Sequence, residues 1–123
     1  IKSWLVRLSE KGPGIVVIST APLADGNVYN VGYDKNNNAF WKIPCDYVPR
    51  RYPGTGDLFS SVLVGGILKG DSLPIAIDRA TSFAELAIKT TYSYQTDPRE
   101  GVMFEPCLKW LTDYQVLRNF ESL

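Results

Sequence analysis

Hydrophobic positions change their period several times along the chain, and each change marks an element. Ile1, Trp4, Leu5 and Leu8 recur at the i, i+3, i+4, i+7 spacing of one buried helix face, with Lys2, Ser3 and Arg7 between them. Lys11-Gly12-Pro13-Gly14 ends that helix. The unbroken β-branched run Ile15-Val16-Val17-Ile18 follows, the pattern of a strand buried on both faces in a parallel sheet covered by helices. Helix, tight break and buried strand form the second half of a β-α-β unit whose first strand is not in the chain. No initiator methionine or capping residue precedes the helix, so the chain is expected to be cut from something longer; a trimmed tag ahead of a complete small domain is the alternative.

Beyond the loop at residues 21–26, Asn27 to Tyr33 and Ala39 to Pro44 flank Asp34-Lys35-Asn36-Asn37-Asn38, a turn-rich segment that predicts an antiparallel hairpin. The period then becomes helical. Asp57 to Lys69 carries apolar residues at 58, 59, 62, 63 and 67 and stops at Gly70, a residue suited to end a helix in a left-handed conformation. Asp71-Ser72-Leu73-Pro74 supplies a cap and an early proline for a second helix, with Ala80, Phe83, Ala84, Ala87 and Ile88 as its buried stripe. A shorter helix is predicted around Pro106 to Leu111, followed by a loosely patterned tail. The elements make an α/β chain of one domain over 1–123, with no internal repeat.

Composition narrows the function. An apolar content of 45% with 21% charged residues is that of a globular protein, and 13 basic residues balance 13 acidic ones. With no positive field, a nucleic acid or an anionic membrane has no electrostatic attraction to the chain, and no partner of either kind is expected. No apolar run is long enough to span a bilayer and no leader opens the chain, so a cytoplasmic location is expected. Cys45 and Cys107 are read as free thiols rather than a disulfide. Histidine is absent, which removes His-dependent triads and the usual zinc sites and leaves carboxylates, hydroxyls, lysines and backbone amides to carry chemistry.

Those groups converge at Tyr52-Pro53-Gly54-Thr55-Gly56-Asp57-Leu58-Phe59, where the region after the hairpin meets the start of a helix. The glycines let backbone amides approach an anion, and the helix N-terminus adds unpaired N–H groups and a favourable dipole. A transferring phosphoryl group would be stabilised there, and Asp57 could accept the proton of an attacking hydroxyl. Read more plainly, Thr55 and Asp57 are ordinary helix-cap residues. Gly65-Gly66 inside the same helix implies close packing against a neighbour, since each helical glycine costs about 0.5–1 kcal/mol relative to alanine.

With these motifs in view, the chain resembles the C-terminal part of the pyridoxal/pyridoxamine kinases, the vitamin B6 kinases of the ribokinase-like superfamily. The resemblance runs from about Leu8 to Leu111. It rests on Ile15-Val16-Val17-Ile18-Ser19-Thr20, on Pro53 to Ser61, on the Gly70-Asp71-Ser72-Leu73 turn and on Arg99-Glu100-Gly101-Val102. It implies the C-terminal portion of a three-layer α/β/α sandwich, with the N-terminal half absent. It also implies ATP-dependent phosphorylation of the 5′-hydroxymethyl group of a B6 vitamer. In that family Gly-Thr-Gly-Asp forms the anion hole and its aspartate activates the substrate, roles that fall on Gly54, Thr55, Gly56 and Asp57. The same resemblance points to Ser19 and Thr20 near the ATP phosphates and a monovalent cation such as K⁺. It points to Lys42, Ile43, Pro44 and Cys45 beside the nucleotide.

Without the family, Ser19 and Thr20 read equally well as strand-end hydroxyls holding a loop, and Cys45 as a small buried hydrophobe. Mg²⁺ is the implied metal, ATP and a B6 vitamer the implied partners, and a homodimer the implied assembly of the parent enzyme. No metal ligand in this chain is singled out, because the family's ring pocket and most Mg²⁺ contacts lie in its N-terminal half. The fragment alone is therefore expected to be inactive. Hydroxymethylpyrimidine kinases usually carry cysteine where this chain has Asp57, and related sugar kinases carry Ala-Gly-Asp. Thr55 and Leu58-Phe59 look more like the B6 kinases. Another kinase of the superfamily and a non-catalytic binding module remain the alternatives. Trp41 and Tyr47 could stack on adenine or be sheet-face aromatics, and Arg50-Arg51 could meet phosphates or stay solvated.

Overall fold

The computed structural model describes residues 1–46 and 51–123. In chain order these form α1 (Lys2–Ser9), β1 (Ile15–Pro22), β2 (Val28–Asp34), β3 (Ala39–Pro44), α2 (Thr55–Lys69), α3 (Leu73–Tyr94), two 3₁₀ segments (Pro98–Glu100 and Glu105–Leu111) and β4 (Glu121–Ser122). The four strands form one sheet in the order β1-β2-β3-β4, and every pairing is antiparallel.

Alternation along the strands sends side chains to two separate cores. On one face Val16, Tyr29, Val31 and Tyr33 pack around Leu5 of α1. On the other, Ile43 joins Phe59 and Leu63 of α2 and Ile77 and Ala80 of α3, with Val17 and Trp41 at the edge. The result is the expected α/β/α layering. A third cluster, centred on Phe83, Ala87 and Cys107, seats the Glu105–Leu111 segment on α3. Gly32 sets how closely α3 lies on the sheet, since a Cβ there would fall 2.5 Å from Ile77 Cδ1 and 3.3 Å from Leu73 Cδ2.

The hairpin forms where the turn residues predict it. Asp34 Oδ1 accepts from the Asn36 N–H at 3.0 Å, and Asp34 Oδ2 accepts from Asn37 Nδ2 at 2.6 Å. Gly70 ends α2 in the left-handed region at φ 107°, as expected, with its N–H on Ile67 O and the Asp71 N–H on Gly66 O. Pro74 lies in the first turn of α3. The Ser72 side chain makes no capping bond there, and Asp71 forms an ion pair with Arg79 instead, at 3.3 Å. Both cysteines are free. Among the described residues no helix is long and apolar enough to cross a membrane.

Four expectations need correction. The run Ile15 to Ile18 is not a parallel strand covered on both sides: β1 pairs antiparallel with β2, no described strand lies on its other side, and Ile15 is exposed. An unbroken apolar run records what a strand can bury, not which strand pairs with it. Of the apolar face predicted on α1, Leu5 is buried while Ile1, Trp4 and Leu8 are exposed, for want of a neighbour on that side. Gly66 alone of the glycine pair is tightly packed, with a Cβ there 3.1 Å from Asp71 Oδ2 and 3.4 Å from Ala76 Cβ; Gly65 faces open space. The tail, read as loosely patterned, is held to the body at defined points. Asn119 donates its N–H to Asp78 Oδ2 at 2.8 Å, Phe120 meets Trp41 edge-on at 6.0 Å, and β4 then pairs with Trp41 and Lys42 of β3.

Candidate active site

Helix α2 begins at Thr55, two residues earlier than its apolar pattern indicates, so Asp57 stands in the first turn. Gly54 is its N-cap, at φ 86° and ψ −3°, a left-handed backbone that a residue with a Cβ adopts only under strain. No side chain caps the helix. Gly54 O accepts from the Leu58 N–H at 3.0 Å and closes the first turn, and the N–H groups before Leu58 have no carbonyl one turn back inside the helix. Partial positive charge therefore gathers at the Gly54–Asp57 corner.

Thr55 holds this corner from beneath. Its Oγ1 donates to Tyr52 O at 2.8 Å, and Tyr52 is itself buried. The hydroxyl is thus committed to the turn, and the backbone N–H is the group that Thr55 has left for an anion. Ser61 Oγ donates to the Asp57 carbonyl at 2.8 Å. The Asp57 side chain is exposed, and no described residue holds its carboxylate in a hydrogen bond or ion pair.

Gly54 and Asp57 open onto a cavity of about 730 Å³ that runs along α2. Ser61 and Gly65 lie along it as small residues, with Leu58, Val62 and Phe83 adding apolar surface. Glu100, Gly101 and Val102 also line it. Gly101 has φ 78° and lies so near the Gly54–Asp57 turn that a Cβ on it would stand 3.3 Å from Pro53 O. The residues after the first 3₁₀ turn therefore brace the glycine motif from outside, a contact between segments too far apart in sequence for periodicity to reveal.

The other predicted residues lie elsewhere. Ser19 and Thr20 form a bulge where the β1–β2 register shifts between Ile18 and Ala21, and both are exposed. Thr20 has φ 57°, unusual for a β-branched residue. Asn30 holds the bulge in place: its Oδ1 accepts from the Thr20 N–H at 2.9 Å, and its Nδ2 donates to Thr81 Oγ1 at 2.8 Å. Asn30 was missed in the sequence, although an amide flanked by Tyr29 and Val31 in the middle of a largely apolar strand was a visible anomaly.

Lys42 is half-buried on the α1 face of β3, with Nζ 4.9 Å from the centre of the Tyr29 ring and 3.7 Å from Glu121 Oε2. The Ile43 side chain is fully buried in the core, and the alternation of the β2–β3 ladder turns its backbone groups toward Asn30, so neither part faces a ligand. Pro44 is exposed at the end of β3, and the Cys45 N–H extends the ladder to Val28 O at 3.0 Å. Burial, followed by the charge of Glu85, pushes the Cys45 thiol up to about 11, so it stays protonated at neutral pH. None of these six residues lines the cavity that Gly54 and Asp57 share. Trp41 packs on the sheet face against Phe120. Arg51 is exposed, and Tyr47 and Arg50 lie outside the described residues.

Comparison with known proteins follows the same outline. The profile of the phosphomethylpyrimidine kinase family matches residues 1–102. A candidate phosphomethylpyrimidine kinase of Bacteroides thetaiotaomicron VPI-5482 superposes with a TM-score of 0.93 at 40% identity over 99% of this chain. Its orthorhombic crystal form, solved with pyridoxal, superposes with a TM-score of 0.89 at 41% identity. Pyridoxal kinase from Lactobacillus plantarum shares 25% identity over 87% of the chain, covering 39% of its own, with a TM-score of 0.73. Pyridoxal kinase from Entamoeba histolytica, 19% identical with a TM-score of 0.74, shares the fold. No protein of curated function matches. The chain spans about 42% of the length of the Bacteroides relative. By the extent of the family match and this identity, the chain belongs to the phosphomethylpyrimidine kinase family and has the fold of the C-terminal part of its ribokinase-like kinases.

Proposed function

We propose that this chain carries the phosphate-binding corner and the general base of a kinase that phosphorylates the 5′-hydroxymethyl group of pyridoxal, pyridoxine or pyridoxamine. The observation that carries the reading is the uncapped start of α2 at the left-handed Gly54, with the free Asp57 carboxylate beside it on the cavity wall. The Asp57 carboxylate takes the proton of the substrate hydroxyl as that oxygen bonds to the γ-phosphorus of ATP. The bond from phosphorus to the β,γ-bridging oxygen breaks and ADP departs. Charge on the transferring group meets the N–H groups of Thr55, Gly56 and Asp57, with Gly54 setting their direction.

Among the described residues no three His, Cys, Asp or Glu side chains gather as a metal site. Magnesium in phosphoryl-transfer sites is held largely by the phosphates with one or two carboxylates, so ATP would bring it; the carboxylates lining the cavity are Asp57, Glu100 and Asp71, the last paired with Arg79. The ion would neutralise phosphate charge there. The preference for a B6 vitamer is supported by Asp57 itself and by the pyridoxal in one crystal form of the Bacteroides relative. The family profile favours a second reading, a hydroxymethylpyrimidine substrate.

In a protein extended to its relatives' length, Asp57→Ala is expected to lower kcat by about 10²–10⁴, the usual contribution of a positioned base. Near-normal kcat in that variant would remove Asp57 from the role, and a panel of pyridoxal and hydroxymethylpyrimidine decides the substrate. The 123-residue chain alone is expected to turn over neither substrate. If it binds ATP-Mg²⁺, its melting temperature rises, by the equivalent of about 2.7 kcal/mol at a hundredfold the Kd.

A further inference from the structure

Two threonines of α3 are buried, and their hydroxyls are used in the same way. Thr81 Oγ1 donates to Ile77 O at 2.8 Å, and Thr91 Oγ1 donates to Ala87 O at 2.7 Å. A hydroxyl that gives its proton to the preceding turn keeps its lone pairs for a donor outside the helix. At Thr81 that donor is Asn30 Nδ2, at 2.8 Å. At Thr91 it is the backbone N–H of Met103, also close, at 2.7 Å. Threonine is a weak helix former, so its place inside α3 is explained by the bond it makes beyond the helix.

The Met103 bond leads to the start of α2. Residues 101–104 belong to no helix or strand. Among the described residues, Met103 N–H on Thr91 is the one hydrogen bond that joins them to α3. Val102 adds apolar contact with the cluster around Phe83 and Ala87. Two residues before Met103, Gly101 rests against Pro53 O, and Pro53 runs directly into Gly54, the left-handed N-cap of α2. A chain spans at most about 3.6 Å per residue, so Gly101 has little slack once Met103 is held. Thr91 does not itself line the cavity. We propose that Thr91 is a positioning residue: through Met103 and Gly101 it holds the turn at Pro53 and so fixes the direction of the Thr55, Gly56 and Asp57 N–H groups.

That those N–H groups serve phosphoryl transfer rests on the function proposed above; the coupling of Thr91 to the turn does not. Thr91→Val keeps the side-chain volume but removes the acceptor, which leaves the Met103 N–H without a partner. Thr91→Ser restores the hydroxyl without the methyl. Thr91→Ala, the better helix former, removes the acceptor by a second route should valine not fold. Thr81→Val makes the same chemical change in the same helix but on the side that faces the sheet, and so measures general loosening.

The first arm reads the amide chemical shifts of Thr55, Gly56 and Asp57 by NMR in the 123-residue chain, with no ligand added. They are expected to move in Thr91→Val and Thr91→Ala, to return in Thr91→Ser and to stay in place in Thr81→Val. Amides unmoved by loss of the Thr91 hydroxyl overturn the inference. Equal movement in Thr81→Val, or no recovery with serine, overturns it too. The second arm uses a protein extended to its relatives' length. There Thr91→Val is expected to lower kcat/KM for ATP-Mg²⁺ about 10- to 100-fold, as a small misplacement near a reacting centre does, through a raised KM as well as a lower kcat. The KM for the hydroxymethyl compound should not change, and serine should restore both values. A lower kcat with both KM values unchanged is what loss of folded protein gives, and would overturn the role. Coupling in the first arm without any use of ATP by the wild-type protein would support the inference and overturn the proposed function instead.

Discussion

Gly26 and Gly101 have nearly the same backbone, at φ 84° and 78°, but different surroundings. A Cβ on Gly26 would meet nothing within 4 Å, whereas one on Gly101 would press on Pro53 O. Alanine at either position is expected to cost about 1–2 kcal/mol through the left-handed backbone, read by chemical denaturation. Only Gly101→Ala should also weaken binding of ATP-Mg²⁺, because it alone displaces the turn that aims the α2 amides. Equal effects of the two substitutions on nucleotide binding would dissociate Gly101 from the corner. Glu85 offers a test by pH. Burial raises its carboxyl above the ordinary value of 4.5, and the Asp46 charge adds to this, against the pull of the Asp46 N–H and of Lys89. The folded state then holds the proton more tightly than the unfolded one. The stability this contributes is complete below pH 4.5 and is lost as pH rises through the higher folded-state value. Glu85→Gln should flatten that decline, measured by urea unfolding between about pH 4 and 7.

At the scale of elements, what could be read from the sequence was what short-range forces decide. The hairpin is specified by Asp34 and the asparagines after it, which bond within three residues. The end of α2 is specified by Gly70 and the stripe of α3 by its period. The turn at the start of α2 was legible for the same reason, since Gly54, Thr55 and Asp57 lie within a single turn. Contacts between remote segments were not legible: the pairing of β4 with β3, Gly101 against Pro53, and the open side of β1. Gly32 belongs with these, because its close approach to Ile77 depends on how α3 lies across the sheet. Gly32→Ala is expected to destabilise the fold by about 1–3 kcal/mol, the usual cost of forcing extra volume into a packed layer. A denaturation midpoint unchanged by that substitution would mean that α3 can lift away freely.

The whole molecule is a three-layer body matching less than half of each relative it resembles. Its kinase family is shown by the extent of the match. The tail has a further consequence for how the chain acquires this shape. Trp41 pairs with Ser122, so the strip from β3 through both long helices must close on itself before that contact forms. Closing so long a loop is entropically costly, and contacts of this kind form late in folding. In a quenched-flow labelling experiment the amides from Asn119 to Leu123 are expected to be among the last protected. Deleting those residues should speed unfolding and leave the refolding rate nearly untouched, the kinetic signature of a latch set after the rest is in place.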